Sequence, residues 1–494
     1  MAKVDERRRH RILNGNMWTV IITICAPLFI YNFFNSFYSL IDAVFANAIS
    51  TGAVSSVAAL GQIKNLLSSF AAGIAGGGAI LVARRFGAGE FDEARKYANV
   101  LVSIIIVLVI ILAVVLLPLA YHICRISGIS EAQAAASTGY FMIQIAELMV
   151  IAFNNVFIAL QKSKGNTKSI FYLNILGMII KLLLNVLFIY GFKVDNIIWI
   201  GVATLLSQFT LFIILGSIMI RRNNIFRISI KELSLSWKYV KPILAISIPI
   251  FVGKFVFSFG KVAVNSIFGT QYLNILKSGI DITDAAALQA AEESAGLVVG
   301  ALAVSNNING LATTPINSFE EGESTIVSQN LGNKNLRRAI ECFFKTLVIT
   351  SILGIIGWIL VRIVFQEALI GLFSTNDNPA LAEQFMGYVR QIHKYDSLSV
   401  PSLAINAAVL GVLYGFGKTK LAAFINIARA FIFRIPVLVI LLFCFPELGV
   451  DCAGLSMGIS NICIATMSVI CLIVFLIQIK KNGYQGMSLK KVEE

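Results

Sequence analysis

Charge is what this chain has least of. Asp, Glu, Lys and Arg together make up 13% of its 494 residues, against roughly a quarter in soluble domains. Such a deficit excludes an ordinary water-soluble fold. Histidine is scarcer still, at three residues, and His393 reads as a surface histidine, not a metal ligand. The seven cysteines include no CxxC pair. Cys25, Cys342, Cys463 and Cys471 sit in apolar runs, where a free thiol behaves as a small hydrophobe. Cys444 and Cys452 flank one short loop, a spacing that permits a bridge without requiring one. No phosphate-binding loop, nucleophile elbow or metal-ligand cluster is present. Enzymatic chemistry, ATP hydrolysis and a resident metal or cofactor are therefore not expected. The short alternating segments of a membrane barrel are missing too.

What remains is apolar. Hydrophobic residues reach 57% and the mean hydropathy is +0.82. A helix needs about 20 apolar residues to cross a bilayer, and backbone polar groups in lipid must pair within their own segment. Breaks between apolar runs predict about twelve such helices, at 17–47, 53–84, 95–122, 131–162, 168–192, 197–221, 238–270, 295–330, 338–364, 380–416, 419–446 and 449–479. Arg7, Arg8, Arg9 and Arg11 precede the first run, which has no small-residue cleavage site; residues 1–16 read as a cytoplasmic tail.

The formal charge of +14 is unevenly placed. Of the 40 Lys and Arg, 28 fall in the two tails and the even-numbered connections, and four (Arg125, Lys193, Lys277, Arg362) in the odd-numbered ones. This is the positive-inside pattern, with both termini cytoplasmic, and it argues against nucleic acid as a partner. The remaining eight, Lys64, Lys181, Lys254, Lys261, Arg390, Lys394, Arg429 and Arg434, lie within predicted spans.

The chain also repeats itself. Val82-Ala83-Arg84-Arg85-Phe86-Gly87, followed by Ala94, matches Val327-Ser328-Gln329-Asn330-Leu331-Gly332, followed by Ala339. Gly165-Asn166-Thr167-Lys168 and Asn174 match Gly417-Lys418-Thr419-Lys420 and Asn426, and Asp42-Ala43-Val44-Phe45 aligns with Asn265-Ser266-Ile267-Phe268. Two halves of six spans each enter the membrane in the same direction, which places a solute site between them. The predicted organisation is an N-terminal lobe at 17–222, a cytoplasmic linker at 223–237, a C-terminal lobe at 238–480 and a C-terminal tail at 481–494. An acidic insert at about 271–294, carrying Asp281, Asp284, Glu292 and Glu293, is expected outside as a solvated loop or short amphipathic helix.

These residues resemble the multidrug and toxic compound extrusion (MATE) family of the multidrug/oligosaccharidyl-lipid/polysaccharide flippase superfamily. The likeness rests on Leu40-Ile41-Asp42-Ala43-Val44-Phe45, Gly87-Ala88-Gly89-Glu90-Phe91-Asp92-Glu93-Ala94, Gly165-Asn166-Thr167-Lys168 and Asn330-Leu331-Gly332-Asn333-Lys334, in that order along nearly the whole chain. It implies an all-α fold of two six-helix lobes around a central cavity, and export of amphiphilic solutes against inward flow of protons or sodium. It also implies a coupling role for Asp42. Sodium-binding relatives carry an asparagine and an aspartate on the fifth span and a threonine on the sixth; the matching positions here are Lys181, Asn185 and Thr204.

Charge inside a membrane is costly and normally faces a wet cavity or a partner. Asp42 shares a polar stripe with Asn32, Asn35 and Ser39 at helical spacing. Lys181 sits on one face with Asn174, Met178 and Asn185. An ammonium there repels sodium, so Lys181 is expected to act as a tethered counter-ion to Asp42, although a rise of about 1.5 Å per residue places Asp42 further out. Lys254, Ser258, Lys261 and Asn265 form one continuous face on the seventh span; Asn306, Asn309, Thr313, Asn317 and Glu320 answer on the eighth. Equal depth predicts a Lys254–Glu320 pair and leaves Lys261 for an anionic group. Gln144, Glu147 and Asn154 on the fourth span, and Arg429 and Arg434 on the eleventh, complete the expected cavity. Arg390, His393, Lys394 and Asp396 are expected towards the outer end of the tenth.

Three functions stay open on these residues. The first is a proton-coupled exporter of a drug or amphiphilic metabolite, working in the cell membrane as a monomer. The second, favoured by the excess of intramembrane Lys and Arg, is an exporter or flippase of an anionic solute such as a lipid-linked phosphate or organic acid. The third is a scaffold or sensor that transports nothing.

Overall fold

The computed structural model describes residues 2–47, 51–126, 131–194, 196–278, 284–371 and 379–482. Among them there is no strand, and twelve helices are long and apolar enough to cross a membrane. A short helix, α1 (Ala2–Asn14), precedes α2 (Met17–Asn47), α3 (Thr51–Ala88), α4 (Phe91–Ile126), α5 (Glu131–Ser163), α6 (Thr167–Val186) and α7 (Ile198–Ile220), the six spans of the first lobe. The second lobe holds α8 (Trp237–Lys277), α9 (Ala285–Gly332), α10 (Leu336–Ile359), the short α11 (Gln366–Gly371), α12 (Pro379–Asp396) continuing into α13 (Val400–Phe416), α14 (Thr419–Ala428) continuing into α15 (Ile435–Cys444), and α16 (Asp451–Asn482). All seven cysteines are free thiols, so Cys444 and Cys452 do not bridge.

Among the described residues, the apolar core joins the two lobes at one end. An apolar core on the face where the described termini lie draws on both lobes, joining Ile24, Leu81 and Phe86 to Phe319, Val327 and Leu413. Towards the opposite face this core divides. One part, with Leu60, Leu116, Phe141 and Ile197, belongs wholly to the first lobe. The other, with Val264, Val298, Leu438 and Met457, belongs wholly to the second. Burial of apolar surface therefore holds the lobes together at the termini face.

The seam is made by α3 against α8 and α9, and by α2 against α9. Phe70 stacks on Phe251 at 4.0 Å between centroids, Phe29 meets Phe319 edge-on at 6.2 Å, and Asn32 Nδ2 donates to Ser318 Oγ at 2.7 Å. The repeat-related glycines Gly87 and Gly332 sit where α3 and α9 cross. A Cβ on Gly87 would overlap the carbonyl oxygen of Gln329, and one on Gly332 that of Arg84. Only glycine allows two backbones this near approach. Gln329 Nε2 donates to Ser163 O at 2.6 Å and Arg84 Nη2 to Gly415 O at 3.0 Å, sealing the same level with polar links.

Two segments differ from the sequence expectation. Residues 2–14, expected as part of a cytoplasmic tail, are helical. They form α1, which lies across the ends of both lobes: Lys164 reaches Asp5 at 3.3 Å, Arg9 donates to Gly87 O, and Arg338 of the second lobe donates to the carbonyls of Ile12 and Gly15. Lys164 is almost fully buried, and its burial pushes the ammonium below its usual range, only partly offset by Asp5. The insert at 271–294 is largely a continuation of helices α8 and α9 beyond the predicted spans, tied by Lys277 to Glu292 at 2.9 Å.

Candidate solute cavities and their charged groups

A cavity of about 630 Å³ lies between the lobes, within the range of about 300–1,000 Å³ usual for small-molecule sites. The first lobe lines it with small polar groups, Ser36, Asn65, Ser68 and Ser69. Among the described residues the second supplies the charged groups: Lys254 and Lys261 from α8, Glu320 and Glu321 from α9, Asp396 from the end of α12, and Arg429 and Arg434 from the eleventh span. Helical spacing brings Lys254, Ser258 and Lys261 onto the lining, together with Asn309 and Thr313 from α9. Asn265, one turn beyond Lys261, lies off the lining.

The charges divide along the cavity. At the end nearer the termini, Lys254, Glu320 and Glu321 also face a smaller space of about 120 Å³. The predicted Lys254–Glu320 ion pair is not formed, although both groups face the same two spaces. Rise per residue fixes depth but not the gap between two helices. The direct pair at this level is Lys162–Glu321, at 2.5 Å, and it joins the two lobes.

At the far end stand Lys261, Arg429 and Arg434 around one ring. The Phe257 centroid is 4.3 Å from Arg429 Cζ, 5.0 Å from Lys261 Nζ and 5.9 Å from Arg434 Cζ. In an α-helix two residues five apart point about 140° away from each other. The stretch Arg429–Arg434 is instead a π-helical turn, whose wider pitch returns residues five apart towards one side, a form frequent at functional sites. Asn461 Oδ1 accepts from Arg429 Nε at 2.9 Å and from Arg434 Nη2 at 2.8 Å, and Ser460 Oγ accepts from Arg434 Nε at 3.2 Å. Asn461 is itself held by Ser399 at 2.9 Å. Asp396 is buried beside Ser305 at 3.4 Å.

His393 is a correction. It is fully buried, with Nε2 3.3 Å from Val361 O, and not a surface residue. Arg390, one turn earlier, is partly exposed and pairs with Glu367 at 2.7 Å.

A second cavity of about 330 Å³ lies within the first lobe, lined by Lys64, Glu147, Asn154, Asn174, Lys181, Thr204 and Gln208. Lys64 donates to both oxygens of Glu147 at 2.9 and 3.0 Å, and the Glu147 side chain is 2% exposed. Asn154 bonds Gln208 Oε1 at 3.0 Å, and Thr204 Oγ1 donates to Ile200 O at 3.0 Å. Asn185 is buried off the lining, with neither amide atom hydrogen-bonded. Gln144 is also off the lining, donating to Tyr140 OH at 2.8 Å. The side chains of Asn35, Ser39 and Asp42 lie outside the described residues, and with them the expected Asp42–Lys181 pair. Among the described residues no His, Cys, Asp and Glu cluster fits a metal.

Sequence reasoning missed Phe257, Asn461 and the partner of Lys64. Phe257 carried a signal, standing four residues before Lys261. Lys64 and Glu147 carried none, because they lie on different helices.

The MatE family model matches residues 27–187 and 290–440, covering both lobes. The chain belongs to the MatE family. A 169-residue stretch is 32% identical to Protein DETOXIFICATION 14 of Arabidopsis thaliana, spanning 34% of this chain and 32% of that relative's length. Among solved structures, a MATE protein in complex with MaL6 superposes with a TM-score of 0.82 at 17% identity, over 95% of this chain and 99% of the other. A MOP-superfamily transporter from Pyrococcus furiosus, reported with a binding pocket of reverse polarity, gives 0.83 at 17% identity over 97% and 98%. An outward-facing MATE multidrug transporter gives 0.82 at 17% identity over 95% and 98%. At these identities the superpositions speak for the fold. This MatE-family chain, with twelve helices long and apolar enough to cross a membrane, is thus a multi-pass membrane protein of a transporter family.

Proposed function

We propose that this chain is a secondary active exporter that carries an amphiphilic solute by alternating access, in the cell membrane, with both termini cytoplasmic. One observation carries the reading: the apolar core is shared by the lobes at the termini face and divided between them at the other. A rocking motion that parts the first and closes the second would expose the central cavity to each side in turn. The side now sealed bears the basic connections, which the positive-inside pattern assigns to the cytoplasm.

The coupling ion in this reading is the proton. Lys181 lines the first-lobe cavity with Thr204, and an ammonium at that site opposes a bound sodium ion. Asp42 is the proposed proton carrier, with Lys181 as its counter-ion and Asn185 beside them. Proteoliposomes with proton and sodium gradients imposed separately test this. A proton gradient alone should drive solute movement, and Asp42→Asn should uncouple it. Movement driven by sodium alone would overturn the proton assignment, and none under any gradient would favour a scaffold or sensor. The Lys261–Arg429–Arg434 group favours an anionic solute, the second reading above.

A further inference from the structure

We infer that the far end of the central cavity is an anion site, built to take a carboxylate or phosphate ester whose apolar body lies along Phe257. The inference rests on the transporter reading, since it assigns a charge class to that transporter's solute. It stands on four observations.

First, the local charge is unbalanced. Lys261, Arg429 and Arg434 line this end with Asp396 as the nearby acid, and none of the three cations makes an ion pair among the described residues. At the other end Glu321 is already committed to Lys162, and Glu320 faces Lys254 across the same space. An unmatched cluster of cations in a membrane is expensive to keep, and an entering anion would relieve that cost.

Second, the two guanidinium groups are already oriented. Asn461 Oδ1 holds Arg429 by Nε and Arg434 by Nη2, which leaves both Nη groups of Arg429 and Nη1 of Arg434 without a hydrogen-bond partner among the described residues. Guanidinium groups bind carboxylate and phosphate oxygens through paired N–H donors, and side chains fixed in advance lose little freedom when the anion arrives. Third, the π-helical turn at Arg429–Arg434 is what sets both arginines towards Phe257. An ordinary helix would send one away from the cavity. Fourth, Phe257 gives the site an apolar surface among the cations, which suits an amphiphilic anion better than a small inorganic one.

The chemistry is common to a soluble aryl acid and to the headgroup of an anionic lipid. Both approach the same cluster, and the cavity lining does not separate them.

The test is binding by the purified full-length protein in a neutral detergent, followed by titration calorimetry. The probes are 1-naphthyl phosphate, 1-naphthylacetate and the matched cation 1-naphthyltrimethylammonium. The anions should bind at least about tenfold more tightly than the cation. Arg429→Gln and Lys261→Gln should each weaken anion binding about tenfold. Arg429→Lys should recover part of the loss for the phosphate, which a merely structural role for Arg429 would not predict. Lys261→Gln guards against misfolding, because Lys261 points into the cavity and touches the Phe257 ring without a hydrogen bond. Arg390→Gln, off the cavity lining, should change nothing. Nanodiscs containing phosphatidic acid should displace 1-naphthyl phosphate if lipid headgroups use the site; displacement by soluble 1-naphthylacetate alone assigns it to free acids, and either outcome supports an anion site. Cation binding as tight as the anions', or wild-type anion affinity in both Arg429→Gln and Lys261→Gln, overturns it. Binding without solute movement in vesicles would sink the transporter reading and leave the anion site; movement of cations without anion binding would do the reverse.

Discussion

Replacing Glu321 by Gln should loosen the closed face of the transporter by a predictable amount. Lys162 and Glu321 are 2.5 Å apart and belong to different lobes, so the proposed rocking motion would break their contact when the termini face opens. Two unit charges about 3 Å apart attract by roughly 5 kcal/mol at an effective dielectric constant near 20. Most of that is lost here, because the Glu321 side chain is 41% exposed and Lys162 18% exposed. Measured pairs of this partly exposed kind contribute about 1 kcal/mol at most. A 1 kcal/mol change is about a fivefold shift between two states. Ala79 lines the small space beside this pair, so an Ala79→Cys thiol in a background lacking the native cysteines reports opening at the seam. Its labelling by a membrane-impermeant maleimide from the termini side should quicken about fivefold in Glu321→Gln. Lys162→Gln should do the same, and the double variant should add nothing further. Equal labelling rates in all four proteins would show that the pair does not help to hold the face shut.

Other outcomes follow from the same geometry. Lys64→Ala leaves the buried Glu147 without its partner and should lower stability by about 3–5 kcal/mol, read as a fall in thermal midpoint; adding Glu147→Gln should recover much of it. Gly332→Ala places a methyl group on the Arg84 carbonyl, an overpacking cost of about 1–3 kcal/mol. It should raise Ala79→Cys labelling as the seam parts. The Arg390 guanidinium holds the Glu367 carboxyl below its ordinary range. The tie is therefore complete above a pH of about 4.3 and lost as pH falls through the lowered value. Proteolysis at 366–371 should rise in that acidic window in the native protein and show no such step in Glu367→Gln.

Some of this protein was plain in its residue order. Apolar length set the twelve spans, because an unpaired backbone cannot remain in lipid. The duplicated Gly87 and Gly332 segments set the two-lobe plan and turned out to be the crossing point of the lobes. Spacing along a single helix puts Lys254, Ser258 and Lys261 on one face, and likewise Asn309 and Thr313, and these residues line one cavity. Each of these is a property of one segment, or of two copies of it, and needs no knowledge of neighbours.

Contacts between helices were decided only by the tertiary arrangement. Glu321, not Glu320, found a direct partner, and it lay across the seam on Lys162. Lys64 met Glu147 from 83 positions away, and His393 turned inward. Arg429 and Arg434 reached one ring through a π-helical turn that no spacing rule announces. Periodicity tells which side of a rod a residue occupies. Crossing angle, local pitch and the distance between rods tell what that side faces, and those are set by the packing of every helix at once.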